Sequence, residues 1–239
     1  MQNKTLGVLG GMGPAASAKF LLLLTEFTAA EHDQEHMEIL LHSLPSIPDR
    51  TDFILKKSAV SPLSSMQRAT LRLTEAGAEI IAIPCNTAEY FLDAIESACP
   101  VPIIRTAYES ACFAAKRSVR KLGILATSGT LHAEIYQSHL KKLGISFAIP
   151  SEVIQKELSE LIYSRIKRSL PHATDVLERA ENELREVGCD AAVLGCTELS
   201  LTPQASAGGF FIDSLSVLAA TCVRACGYEL SEKGRAFAT

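Results

Sequence analysis

The 239-residue sequence lacks several features that mark whole classes of protein. It has no basic excess, because 23 Lys and Arg face 27 Asp and Glu, which gives a formal net charge of −4. Such a balance is poorly suited to holding a phosphate backbone, so we expect no nucleic-acid partner. The longest purely aliphatic and aromatic run, Phe20–Leu24, is far shorter than the roughly 20 residues that span a bilayer, so we expect no membrane segment.

The sequence also lacks CxxC pairs, low-complexity tracts and linker-like stretches, although it contains seven cysteines. A chain of this length can bury a sizeable core without disulfides. No histidine lies near the cysteines discussed below, and a zinc site needs about four ligands, so we expect no metal centre. Reduced thiols in a cytoplasmic protein explain the cysteine content best.

Short apolar runs alternate with longer amphipathic stretches along the whole chain. Helical patterns begin at Pro14, ahead of residues 15–30, and at Ser61-Pro62, from which a helix should extend to about Gly77. Five strands are predicted between the helical stretches: Thr5–Leu9, Glu38–His42, Ile80–Ile83, Lys121–Leu125 and Ala191–Leu194. Short buried strands that alternate with helices predict an α/β fold with parallel sheets.

An internal repeat divides the chain into two related halves. Residues 4–13 align with 120–129, and residues 73–85 align with 184–196, in the same order and with nearly the same offset. A period this long is unsuited to a solenoid and predicts two α/β lobes related by pseudo-twofold symmetry. We assign residues 1–103 and 209–239 to the N-terminal lobe and residues 104–208 to the second lobe.

In each copy of the repeat, a cysteine ends a buried strand and small polar residues follow it. Cys85 precedes Asn86 and Thr87, and Cys196 precedes Thr197. Ligands of parallel sheets bind outside the carboxyl ends of the strands, so two pseudo-symmetric lobes would present these thiols to opposite faces of one ligand. A two-base stereoinversion requires that geometry. The competing interpretation, that both are small buried hydrophobes, is the one we adopt for the other five cysteines.

The glycine-rich turn Gly10–Pro14 follows the first strand and opens a helix. With Ala16 it formally satisfies the dinucleotide-binding fingerprint, which would indicate a dinucleotide enzyme or a two-lobe binding protein. However, no acidic residue ends the second strand, and the equivalent turn, Ala126–Thr130, has no such fingerprint. Both turns expose backbone N–H groups that suit a carboxylate as well as a phosphate.

Two basic residues have an open interpretation. Arg50 lies in a proline-bounded loop after the second strand, and Lys167 lies in a basic helical stretch. Each is either a solvated surface charge or an anchor for a carboxylate. The histidines show no triad or metal-ligand spacing and are assigned no role: His32, His36, His132, His139 and His172.

These motifs, in this order, resemble the aspartate/glutamate racemase superfamily over nearly the whole chain. The motifs are Gly10–Pro14, Ile47–Thr51, Pro84–Ala88, Ala126–Thr130 and Leu194–Leu199. The resemblance implies two Rossmann-like lobes with the active site between them, a homodimer, and cofactor-independent racemisation of an acidic amino acid. Aspartate is the expected substrate and glutamate the next. Maleate isomerase and hydantoin racemase, which also use paired cysteines, are the alternatives within the superfamily.

The resemblance also implies roles for nine residues. Cys85 would act on the D-enantiomer and Cys196 on the L-enantiomer. Arg50 and Lys167 would anchor carboxylates. Five further residues would line the site: Met12, Asn86, Thr87, Thr127 and Thr197. One position departs from the pattern, since Glu89 stands where family members usually carry histidine. This carboxylate would disfavour a Cys85 thiolate if it faced the cleft, and would have no effect if it turned away.

Overall fold

Two four-stranded parallel sheets, each covered by helices, form the fold in the computed structural model, which describes residues 3–171, 173–205 and 209–238. The central strands are buried throughout, as expected of parallel strands covered on both faces. The predicted α/β class and the two lobes are therefore confirmed. No helix in the described part of the chain is long and apolar enough to cross a membrane.

The two sheets have the same strand order, β2-β1-β3-β4 and β6-β5-β7-β8, which is the structural form of the sequence repeat. The strands are β1 (Leu6–Gly10), β2 (Ile39–Ser43), β3 (Ile80–Ala82), β4 (Ile103–Ile104), β5 (Lys121–Leu125), β6 (Ser146–Ala148), β7 (Ala191–Leu194) and β8 (Phe211–Asp213). All five predicted strands are present, with ends that differ by at most one residue. The sequence patterns missed β4, β6 and β8, which are only two or three residues long and show no periodicity of their own.

Eleven α-helices connect and cover the strands in the described ranges. They are α1 (Pro14–Phe27), α2 (Arg50–Ile54), α3 (Leu63–Glu75), α4 (Leu92–Glu96), α5 (Thr106–Lys116), α6 (Ser128–His132), α7 (Ile135–Lys142), α8 (Glu152–Glu160), α9 (Asp175–Glu186), α10 (Ser214–Ala225) and α11 (Glu232–Arg235). The helix predicted at Ser61-Pro62 begins one residue later than expected, at Leu63, whose N–H donates to Ser61 Oγ over 3.3 Å.

The central strand of each lobe has a glycine at the same position, where a helix packs closely against the sheet. A Cβ at Gly7 in β1 would lie 2.6 Å from Ile81 and 3.3 Å from Leu73, and a Cβ at Gly123 in β5 would lie 2.5 Å from Leu184. Leu73 and Leu184 occupy equivalent positions in the repeat. Glycine at the same point of each central strand therefore lets the same helix approach the sheet closely in both lobes.

A shared core joins the lobes. It contains side chains from β1 and β5 together with the helices between the sheets, α1, α5 and α10. The assignment of residues 209–239 to the first lobe stays a prediction. One strand of that segment, β8, belongs to the sheet of the second lobe. β8 pairs with β7 and so completes the second sheet, after which α10 packs against α1 and α5.

Candidate functional site

The two cysteines that end equivalent strands both lie at the cleft between the lobes. Cys85 follows β3 and begins a 3-10 helix, Asn86–Phe91. Cys196 follows β7 and Gly195, where a Cβ would lie 2.9 Å from the Tyr136 ring. Both thiols are free and buried.

A small cavity of about 10 Å³ lies between the lobes and collects the predicted site. It is lined by Met12, Asp49, Arg50, Thr51, Cys85, Asn86, Thr87, Thr127, Tyr163, Lys167, Cys196, Thr197 and Glu198. All nine residues predicted from the sequence are in this set, and we call this space the inner cavity. Its volume is about that of one water molecule.

Four lining residues were assigned no role from the sequence, although three of them lie inside the motifs Ile47–Thr51 and Leu194–Leu199. Asp49 and Thr51 flank Arg50, and Glu198 follows Cys196 by two residues. Tyr163 precedes Lys167 by about one helical turn, a spacing that places two side chains on the same face. That spacing was the available signal for Tyr163, and proximity to the thiol was the signal for Glu198.

A larger cavity of about 390 Å³ opens beside the inner one, and we call it the outer cavity. The two share Met12, Asp49, Arg50, Lys167 and Glu198. The remaining wall of the outer cavity is largely apolar and includes Pro14, Ala15, Ala16, Pro45, Ile47, Ile166 and Leu201. The outer cavity is large enough for a small ligand and adjoins the inner cavity, where the thiols lie, at the shared residues.

Arg50 is buried at the first position of α2, so the interpretation as a surface charge is wrong. Its guanidinium donates to the carbonyl oxygens of Pro48 at 3.1 Å, Ile47 at 3.3 Å and Met12 at 3.4 Å. Burial lowers the pKa of Arg50, but the negative charges of Cys85 and its other acidic neighbours outweigh burial and leave the pKa raised. Arg50 therefore remains a fixed cation beside Cys85.

Lys167 also faces the cleft rather than bulk solvent, with 22% of its side chain exposed. It lies in a 3-10 turn, Ile166–Arg168, directly after a π-helical segment, Leu161–Arg165. Its ammonium lies 4.8 Å from the Tyr163 ring centroid and 3.7 Å from Glu198 Oε1. Burial lowers the pKa of Lys167, yet the negative charge of Glu198 contributes most to raising it overall, so this second cation also stays charged.

Hydroxyl groups link the two lobes around the inner cavity. Thr87 of the first lobe lies within hydrogen-bond distance of Thr127 and Thr130 of the second, at 3.0 and 2.9 Å. The Tyr163 hydroxyl donates to Thr51 Oγ1 across the cleft at 2.8 Å. Burial raises the pKa of Tyr163, so this phenol is a neutral donor. These contacts hold the cleft closed.

The Asn86 amide is fixed on two sides. Its Oδ1 accepts from the Tyr136 hydroxyl at 2.5 Å, and its Nδ2 donates to Ser214 Oγ at 3.0 Å. Ser214 Oγ in turn donates to the Leu194 carbonyl oxygen at the end of β7. Burial raises the pKa of Tyr136, which keeps this hydroxyl protonated as the donor. One Nδ2 proton remains for a ligand in the inner cavity.

Cys196 has a carboxylate within hydrogen-bond distance. Its thiol lies 3.0 Å from Glu198 Oε2 and is the donor in that contact. Burial and the charge of Glu198 raise the pKa of Cys196 well above that of an ordinary thiol, although Lys167 opposes the shift. Cys196 is therefore the neutral thiol of the pair.

Glu89, the departure from the family pattern, turns away from the thiols. Its Oε1 pairs with His139 Nε2 at 2.8 Å, and its Oε2 accepts from the Ala107 N–H at 2.7 Å near the start of α5. His139, which was assigned no role, is thus the partner of a buried carboxylate. Of the two sequence-based alternatives for Glu89, the structure supports the second.

Within the described ranges, no three His, Cys, Asp or Glu residues lie close enough together to hold a metal ion. Of the five histidines that were assigned no role, His32, His36, His132 and His139 lie in the described ranges, and His172 lies outside them. The polar groups that line the inner cavity are hydroxyls, one amide, two cations, two carboxylates and two thiols. This set of groups suits a small, charged organic ligand.

Comparison with known proteins gives concordant results. A solved structure of the Picrophilus torridus aspartate racemase has a TM-score of 0.85 and is 28% identical, with 98% of this chain and 99% of that one covered. The broad specificity amino-acid racemase RacX of Bacillus subtilis is 24% identical over 199 residues, which are 82% of this chain and 86% of that protein. A Deinococcus radiodurans glutamate racemase is 32% identical over 137 residues, 54% of this chain and 45% of that protein.

The doubled α/β fold and these relatives define the class of the protein as an isomerase of the racemase type. The family model of Asp/Glu/Hydantoin racemase matches residues 9–222, and the chain belongs to this family. The resemblance predicted from the sequence motifs is confirmed.

Proposed function

We propose that the protein racemises an acidic amino acid without a cofactor, by two-base proton transfer between Cys85 and Cys196. Aspartate is the first candidate substrate and glutamate the second. The observation that carries the proposal is that the two thiols, one from each lobe, line the same inner cavity. The aspartate racemase from Picrophilus torridus, which shares the fold over nearly the whole chain, supports the choice of substrate.

The two thiols differ in a way that sets the direction of the first proton transfer. Cys85 lies beside the Arg50 cation, whereas Cys196 donates to Glu198 and carries its proton before the reaction. With a D-amino acid bound, the Cys85 thiolate would take the α-proton, breaking the Cα–H bond and forming S–H. Cys196 would then deliver its proton to the opposite face of Cα and become the thiolate. The L-enantiomer would run these steps in reverse.

The carbanion that forms between the two transfers needs electrostatic stabilisation. Arg50, the free Nδ2 proton of Asn86 and the cleft hydroxyls of Thr87, Thr127 and Thr197 line the cavity in which its carboxylate would lie. Donors that are fixed before the reaction stabilise developing charge without reorganisation. Because hydrogen bonds hold the Asn86 amide and the threonine cluster in place, they meet that condition.

Two cations match the two carboxylates of an aspartate or glutamate substrate. Arg50 and Lys167 stand at the junction of the two cavities, and each keeps its charge despite burial. Seven free thiols support a reducing, cytoplasmic setting, and the proposed homodimer rests on the family resemblance.

The test is proton NMR of L- and D-aspartate in D2O with reduced protein and no added cofactor. We expect loss of the α-proton signal together with inversion, measured by optical rotation. No exchange with aspartate or glutamate, but exchange with a hydantoin or isomerisation of maleate, would replace this proposal with one of the other family activities. Protection against melting by nucleotides, with no turnover of any of these substrates, would favour a binding protein.

A further inference from the structure

Glu198 carries an unsatisfied acceptor that points to a ligand. Its side chain is buried, and within the described chain Oε1 has no hydrogen-bond partner. Leaving a buried carboxylate oxygen unpaired is costly, so such an atom in a cleft requires an explanation. The other oxygen, Oε2, is occupied, since it accepts from Cys196 at 3.0 Å and from Thr197 at 3.4 Å.

Lys167 does not satisfy Oε1. Its Nζ lies 3.7 Å away, which is an ion-pair distance but exceeds the range of a normal N–H···O hydrogen bond. Gly13 lies on another side, where a Cβ would come within 2.9 Å of Oε1. The absence of a side chain at Gly13 therefore leaves open the space in front of this oxygen.

Arg50, which also lies where the inner and outer cavities meet, has an unpaired donor rather than an unpaired acceptor. Its Nε is a buried donor without a hydrogen-bond partner in the part of the chain that the structure describes. One unpaired donor on a cation and one unpaired acceptor on an anion therefore line the same inner cavity. A ligand that complements both offers an acceptor to the Arg50 cation and a donor to the Glu198 anion, as the carboxylate and ammonium of an α-amino acid do.

We propose that Glu198 recognises the substrate's α-ammonium group through Oε1, and that the site selects free α-amino acids over ligands that lack this group. The charges of the site are complementary to those of an amino dicarboxylate. The cations Arg50 and Lys167 complement its two carboxylates, and the anion Glu198 complements its ammonium group. The other acidic lining residue, Asp49, is engaged in capping α2, where its Oδ1 accepts from the Asp52 N–H. This inference rests on the proposed function and narrows it, because hydantoins and maleate have no ammonium to offer.

Calorimetric titration with L-aspartate and with succinate, which is aspartate without its amino group, tests the inference directly. We expect E198Q to weaken aspartate binding roughly ten- to hundred-fold, as for the loss of a charged hydrogen bond, and to leave succinate binding unchanged or tighter. The matched control is E89Q, which neutralises a buried carboxylate that turns away from the thiols and should alter neither affinity. G13A provides a variant without charge change, because its methyl group would fill the space before Oε1 and should weaken aspartate more than succinate.

Equal weakening of both ligands in E198Q would overturn the inference, since it would indicate a general structural role for Glu198. An unchanged aspartate affinity, or no binding of aspartate to the wild-type protein, would also overturn it. Binding needs no turnover, so the two proposals can fail separately. If the wild-type protein racemises aspartate but E198Q does not change the ratio of the aspartate and succinate affinities, only the proposed function is supported. If E198Q changes this ratio but no racemisation is detected, only the recognition role of Glu198 is supported.

Discussion

The segments that follow the two cysteines occupy equivalent places in the two lobes, yet they use their acidic residues in opposite ways. After Cys196, the carboxylate of Glu198 returns to the thiol at 3.0 Å. After Cys85, the carboxylate of Glu89 crosses to His139 in α7 and leaves the thiol to Arg50. The repeat thus places the sulfur atoms symmetrically, whereas the residues after each strand give them unequal charge environments. A reaction that needs one base and one acid benefits from that inequality.

The largest effect should come from the thiols themselves. We expect C85S and C196S each to reduce racemisation by roughly 10²- to 10⁴-fold. A serine hydroxyl is a far weaker acid than a thiol, so it neither forms the anion that takes the α-proton nor readily releases a proton, and both transfers are needed. The measurement is kcat/KM from each enantiomer by polarimetry or chiral chromatography. C99S is the control, since Cys99 lies in neither cavity and should keep full activity. Near-normal turnover in either strand-end variant would contradict two-base transfer.

The inequality of the two thiols should appear in their reactivity toward a small alkylating agent. Cys196 should react at least about tenfold more slowly than Cys85 at neutral pH, since burial and Glu198 raise the pKa of Cys196 well above its ordinary value. Below that raised pKa the thiolate fraction grows about tenfold per pH unit, so the Cys196 rate should keep rising through alkaline pH. Peptide mass spectrometry after timed alkylation follows both sites.

Glu198 provides a way to remove this inequality. E198Q eliminates the like charge beside Cys196 and should bring the two alkylation rates closer together. Equal rates in the wild-type protein, or a Cys196 rate that does not change with pH, would show that the charge difference between the two segments does not control the thiols.

The smallest effect on catalysis should come from the acidic residue that turns away. E89Q should change kcat/KM by no more than about threefold, while it lowers the free energy of unfolding by about 1–3 kcal/mol through its weakened contacts with His139 and the Ala107 N–H. Urea unfolding and steady-state kinetics measured on the same preparation separate the two quantities. A large loss of activity at unchanged stability would mean that Glu89 acts on Cys85 after all.

The sequence predicted the parts of this structure that depend on local pattern. Buried apolar runs located the central strands, and the repeat located both thiols and the cleft between the lobes. The sequence did not reveal β8 or its pairing with the second sheet. A strand of three residues has no periodic signal, and its partner, β7, is separated from it along the chain. The direction of the side chains could not be predicted from the sequence either. Glu198 and Glu89 each follow a cysteine closely, and only tertiary packing determines which carboxylate contacts the preceding thiol.

The size of the inner cavity has a consequence for the rate of the enzyme. A space of about one water molecule cannot admit an amino acid while the Tyr163–Thr51 hydrogen bond and the threonine contacts hold the lobes together. In the proposed cycle each turnover therefore includes an opening for entry and another for release, in addition to the two proton transfers. Such motions take microseconds to milliseconds and often limit turnover. If this opening is slower than the proton transfers, the maximal rate will fall as solvent viscosity rises.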